Sequence, residues 1–261
     1  MLIAVSVLKS MLVLALASLS AWSLSAAETK ITVRAVSRDA KVIGDGVGGA
    51  RITVRDLVSG KMLAAGVQTG GTGDTERIML TPRKLHSTVY GTPGAASFTA
   101  TLDLASPTRV EITAEGPLKY PQAMQRVSTT MLLVPGRHVE GEGIVLEIPG
   151  FIVDAPAAVS GRVKEPLEFT AKVTMMCGCP TEPGGIWDAN EIEVVARVMR
   201  EGALIRTAAL RYSGATSTYT AELEPLAAGT YDIEIIASND RTANFGRTVT
   251  RATIRAISVK E

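Results

Sequence analysis

Residues 167–180 read LEFTAKVTMMCGCP, and the alternation in this stretch decides the fold. In an extended strand, neighbouring side chains point to opposite faces. Leu167, Phe169, Ala171, Val173, Met175, Cys177 and Cys179 therefore share one side, and Glu168, Thr170, Lys172 and Thr174 share the other. That period of two marks a half-buried β-strand. Carried to its end, the alternation turns both cysteine sulfurs toward a core. Met176 stands beside them, and Gly178 and Pro180 signal a turn that lifts this sulfur cluster to the rim of a sheet.

The same period recurs along the chain. Ile31, Val33 and Ala35 alternate with polar neighbours, as do Phe98, Ala100, Leu102 and Leu104, then Val110, Ile112 and Ala114, and later Ile144, Leu146 and Ile148. Strands are also predicted over 50–56, 62–67 and 127–134, with 81–96, which holds His86 and Tyr90, as a loop. Pro149 and Gly150 break the pattern. Beyond them Ile192, Val194, Ala196 and Val198 alternate, and strands follow over 205–212, 217–223, 230–237 and 248–259. Helical periodicity is absent outside the N-terminal segment. The reading is all-β: two tandem β-sandwich domains, 28–149 and 150–261, joined by a short linker after an N-terminal signal helix. Gly44, Gly46 and Gly49 match G-x-G-x-x-G, but the strand ARITVRD follows them where a dinucleotide loop needs a helix. They read as a flexible hairpin connection.

The first 27 residues hold one Lys, no acid, and an apolar run over 11–19, with small residues before Glu28. That is a secretory signal with cleavage expected between Ala27 and Glu28; an uncleaved membrane anchor is the competing reading. Cleavage removes Lys9 from 27 basic and 26 acidic residues, leaving a neutral chain with no membrane span, so attraction to nucleic acid is not expected. The expected location is periplasmic or secreted. Roughly 230 remaining residues suffice for two cores without a metal or disulfide. A bridge between Cys177 and Cys179 would close almost no loop, far short of the ~3 kcal/mol expected for a 15-residue loop.

Chemistry is sparse. His86 and His138 have no metal-ligand spacing, and neither G-x-S-x-G nor H-E-x-x-H occurs. Carboxylates after the cysteines, Glu182, Asp188, Glu191 and Glu193, read as solvation, so the chain is expected not to be an enzyme. Thiolate and thioether donors select Cu(I), and the metal-site candidates are Met175, Met176, Cys177 and Cys179. Two readings stand beside copper: small core hydrophobes or an adventitious disulfide, and a redox-active dithiol, which needs a helix N-terminus or a nearby cation, and only Lys172 is close, on the opposite face. Trp187 and Asp188, in PGGIWDAN, are the candidate binding residues; the alternative folds Trp187 back over the end of the sandwich.

Two stretches resemble known modules. Residues 49–61, G-A-R-I-T-V-R-D-x-x-S-G-K, resemble transthyretin-like and carboxypeptidase-regulatory-like bacterial sandwiches, which implies a fold and no activity. Residues 226–237, L-x-x-G-T-Y-D-I-E-I-I-A, resemble the tyrosine-corner region of bacterial immunoglobulin-like and fibronectin-type modules. That resemblance implies that the Tyr231 hydroxyl ties back to the backbone. The expected function is an exported binding or interaction protein with an envelope protein as partner and a Cu(I) site as its sharpest form. The alternatives are a structural or adhesive envelope module, and a thiol-disulfide redox protein using Cys177 and Cys179.

Overall fold

The computed structural model describes residues 26–256. The expected signal helix lies outside them, and so does the end of the last predicted strand. Among the described residues no helix is long and apolar enough to cross a membrane.

The N-terminal half is a sandwich of two sheets. One is ordered β4 (Phe98–Leu104), β1 (Ala27–Ser37), β7 (Val139–Ile148); the other is β3 (Met62–Val67), β2 (Arg51–Asp56), β5 (Thr108–Gly116), β6 (Gln125–Leu133). Alternating apolar residues meet between them: Ile31, Val33, Ile52, Val54, Ile112 and Ile148 are all fully buried. Each such side chain contributes roughly 1.5–3 kcal/mol. β1 and β2 lie in different sheets, so the glycine-rich 44–49 segment is a crossover and not the expected hairpin. Its glycines serve close approach: a Cβ at Gly49 (φ 68°) would sit 2.3 Å from the Gln68 carbonyl oxygen.

Gln68 itself is buried, and its amide joins the sheets. Its Oε1 accepts the Ala35 N–H at 2.7 Å, and its Nε2 donates to the carbonyls of Ala35 (2.9 Å) and Ile43 (2.7 Å). β4 stops pairing with β1 at Val33. The carboxamide takes over two residues later, bonding donor and acceptor of Ala35 as a neighbouring strand would.

The second half is also a sandwich. One sheet runs β13 (Arg211–Tyr212), β14 (Thr218–Leu223), β10 (Leu167–Met175), β8 (Phe151–Asp154); the other runs β12 (Ala203–Ala209), β11 (Glu193–Arg200), β15 (Gly229–Asn239), β16 (Asn244–Arg255), β9 (Ala158–Arg162). This is the immunoglobulin-like arrangement, four strands against an extended C-F-G face. Tyr231, near the start of β15, donates its hydroxyl to the Ala227 carbonyl at 2.9 Å, the tyrosine corner the sequence implied. Phenylalanine there removes this bond and leaves the ring, so Tyr231→Phe should cost about 1 kcal/mol in urea denaturation.

Two stretches depart from expectation for the same reason, a change of sheet in mid-run. The predicted strand 205–212 breaks at Leu210, where the chain leaves β11 as partner and joins β14. Residues 151–163, given no strand by the pattern, hold β8 and β9, separated at Pro156; β8 pairs with β10 and β9 runs parallel to β16. A short helical turn, Glu76–Leu80, was also missed.

The two cores exchange side chains. Ile152 and Met176 belong to the N-terminal core, and Ala40 belongs to the C-terminal one. Gly150, between them, donates its N–H to the buried Asn244 side chain at 2.7 Å.

Candidate functional site

β10 ends at Met175, with Leu167, Phe169, Ala171, Val173 and Met175 buried as the parity required. The strand does not continue to Cys179. The Gly178 N–H bonds back to the Met175 carbonyl at 2.8 Å, and the Met175 N–H reaches the Cys179 carbonyl at 3.1 Å. Gly178 makes this turn at φ 77°, and a Cβ there would meet Val47 of the N-terminal sandwich at 2.8 Å. Close approach and backbone conformation both call for glycine.

The turn sorts the sulfurs. Cys177 and Cys179 form a disulfide within the C-terminal core, in the same cluster as Met175. Met176, fully buried, points the other way into the N-terminal core. Three of the four sulfur residues thus share one core, the cysteines brought there by a turn instead of by alternation. In the disulfide neither cysteine offers a thiolate, so a Cu(I) ligand set belongs to the reduced protein. With the cysteines only 4% and 5% exposed, burial also opposes rapid thiol exchange, which needs access to sulfur. Neither histidine joins the group. His138 Nδ1 accepts the Lys30 N–H at the far end of β1, about 20 Å along the strand from Ser37. His86 lies in an exposed loop. Among the described residues no three His, Cys, Asp or Glu side chains converge as a metal site would.

After Cys179 the chain is tied to both sandwiches. Thr181, fully buried, donates its hydroxyl to the Val173 carbonyl. The Trp187 indole N–H donates to the carbonyl of Asp39 in the other half at 2.9 Å. Trp187 is therefore half-buried across the junction, packed on the C-terminal core. Asp188 Oδ1 accepts the N–H groups of Asn190 and Gly184, both at 2.9 Å. Those bonds, Asn190 first, hold its carboxyl below the usual aspartate range. A depressed folded-state value means that the bonds support the turn above the ordinary aspartate pKa and are lost as pH falls through the lower one. In a chain beginning at Glu28, Trp187 is the single tryptophan. Its emission should stay constant from pH 7 to about 4 and shift to the red below that; Asp188→Asn should flatten this acid response.

Between the halves opens a cleft of about 230 Å³. Phe151 and Met175, both buried, form its floor; Trp187 and Ile186 line it together with Met79 of the N-terminal half, and the polar lining is Asp39, Asp188, Glu191 and Arg241 with neighbouring Asn and Thr side chains. Arg241 Nη2 lies 2.6 Å from Glu191 Oε2. The volume falls under the ~300 Å³ of ordinary small-molecule sites, which suits a single side chain better than an organic cofactor. Ile186 is 47% exposed beside this cleft, an apolar group with no core to join. The sequence singles out Met175, Trp187 and Asp188 from this lining and gives no direct sign of Phe151, Ile186 and Arg241. The Pro-Gly break before Phe151 was the one available signal.

No family model matches the sequence, and no curated protein does. Among solved structures, an engineered protein is 20% identical over 47% of this chain, which spans only 24% of that protein, with a TM-score of 0.30. Fibronectin(III)-like modules of Clostridium thermocellum CbhA are 13% identical, covering 90% of this chain and 97% of theirs, with a TM-score of 0.29. CopC from Methylosinus trichosporium OB3b is 12% identical, covering 43% of this chain and 98% of its own, with a TM-score of 0.28. Scores this low identify no relative, and the fold assignment rests on the strand order and the tyrosine corner described above.

Proposed function

We propose that this is an exported, non-enzymatic binding protein whose ligand seat is the cleft between the two sandwiches. The observation that carries the reading is a concavity lined by Trp187 and Ile186 above buried Phe151 and Met175, at a junction that is otherwise closed by shared core residues. Such concavities between domains, apolar with a few polar rim groups, are the usual form of a binding site. The partner is a protein of the cell envelope or its surroundings, and the first 27 residues are the export signal. The N-terminal sandwich is transthyretin-like, a reading supported by the 49–61 pattern. There the Asp56 carboxylate accepts the Val58 N–H and the Ser59 hydroxyl, both at 2.8 Å, so the motif serves as a turn.

A photo-crosslinking residue at Ile186 tests this in the native envelope. A partner captured from position 186 and not from Val58, which is 89% exposed at a distant turn, supports the seat. Equal capture from both, or from neither, leaves a structural or adhesive module. Ile186→Asp should weaken the captured interaction about 30-fold, as loss of a central apolar contact does.

The shared place of Met175, Cys177 and Cys179 in the C-terminal core favours a second reading for the reduced protein, a three-sulfur Cu(I) site in that core. Reduced wild-type protein should then withdraw Cu(I) from bathocuproine, and Cys177→Ser with Cys179→Ser should not; equal affinity in the two disposes of the site.

A further inference from the structure

The cleft continues past Trp187. Glu191, Asn239 and Arg241 belong both to it and to a second depression of about 340 Å³, which Glu193, Ser238 and Asp240 complete. The two form one feature, an apolar socket leading into a polar trough. Along it stand five carboxylates, Asp39, Asp188, Glu191, Glu193 and Asp240, against one guanidinium, that of Arg241. Arg241 is already engaged by Glu191, and Glu193 and Asp240 face solvent with no ion-pair partner among the described residues.

Exposed acids are usually just solvated. These are distinguished by their continuity with an apolar socket and by their spacing, since among the described residues no three of them gather around a point as a metal ion would require. Negative charge strung along a trough complements a string of positive charges, and complementary potentials of this kind steer a partner and fix its register. The socket, too small for most organic ligands, accepts one apolar side chain.

We infer that socket and trough together bind a basic segment of a partner polypeptide, with one apolar side chain seated on Phe151 and Met175 and its neighbouring Lys or Arg residues on Glu193 and Asp240. This names the partner chemistry for the cleft and rests on the reading of that cleft as the binding seat.

The test is a set of short peptides with a central Leu or Phe flanked by Lys and Arg, by Asp and Glu, or by Ser and Gly. Each is titrated into the chain beginning at Glu28, in which Trp187 is the single tryptophan, while its emission is followed. Basic-flanked peptides should bind at least tenfold more tightly than neutral-flanked ones in dilute salt, and the margin should collapse near 0.5 M salt. Glu193→Lys with Asp240→Lys, both exposed and outside the cores, should erase the margin while leaving the unliganded emission unchanged. A basic preference that survives this double reversal overturns the inference, because the charge recognised then lies elsewhere. A preference for neutral or acidic peptides that Ile186→Asp abolishes also overturns it, yet leaves the cleft as the seat. Binding by no class removes both.

Discussion

Replacing Gln68 with leucine is expected to destabilise the protein by about 4 kcal/mol, within a range of roughly 2–6. Leucine fills much of the same volume, so the loss isolates the polar contribution. The substitution strips Ala35 N–H and the Ile43 carbonyl of the partners Gln68 provides, and both lie where no water reaches. Ala35 O fares better, since it also accepts the Ile43 N–H at 3.1 Å. Each orphaned buried group costs about 1–3 kcal/mol. Against a total stability of roughly 5–15 kcal/mol, that is a large fraction. Gln68→Glu should also be severe at neutral pH, because a carboxylate would face two carbonyl oxygens in place of the lost N–H donors. Urea denaturation followed by circular dichroism measures both, and a loss below 1 kcal/mol in the leucine variant would refute the surrogate-strand role.

Met176→Ala should cost about 2–5 kcal/mol, the usual range for emptying a buried methionine site. The location of the damage is the more telling result. Met176 follows β10 of the C-terminal sandwich but fills the N-terminal core, where Ile152 also sits. Its removal should therefore raise hydrogen exchange in the N-terminal core strands β1, β2 and β7, and in the 44–49 crossover that touches the Gly178 turn. Met175→Ala, one residue earlier, should loosen β10 and β14 instead, because Met175 belongs to the other core. Both substitutions leave the disulfide and the backbone turn in place. Identical exchange patterns from the two would mean that the halves respond as one core.

Much of the fold was legible because alternation is a local property. Ile52 and Val54, Val110 and Ile112, and Val194 and Val198 could be assigned to buried faces from two-residue spacing alone. The tyrosine corner and the Asp56 turn were equally local, each a bond between residues no more than four apart. Parity, however, says which side of a strand a residue takes, not which sheet or core lies on that side. The expectation therefore failed at Leu210 and Pro156, where the chain changes sheets, and at Met176, where consecutive buried residues go to opposite cores. Gln68 gave no sign, since a glutamine before a Thr-Gly-Gly loop ordinarily faces water. Met175 and Trp187 were found because sulfur and indole stand out in a chain that is 4% aromatic, and Asp188 as the neighbour of Trp187 in the same turn. The cleft itself was out of reach, because it gathers side chains from positions 39, 79, 151, 175 and 241.

The crossing of side chains at the junction bears on how such a molecule can be reused. Cutting the gene where Pro149 and Gly150 interrupt the pattern would part Ile152 and Met176 from the interior they complete. The leading fragment would carry a void, and the trailing one would display two greasy residues that invite clumping. Shuffling either half into another protein thus demands compensating changes, and lineages that keep one half should tend to keep its neighbour.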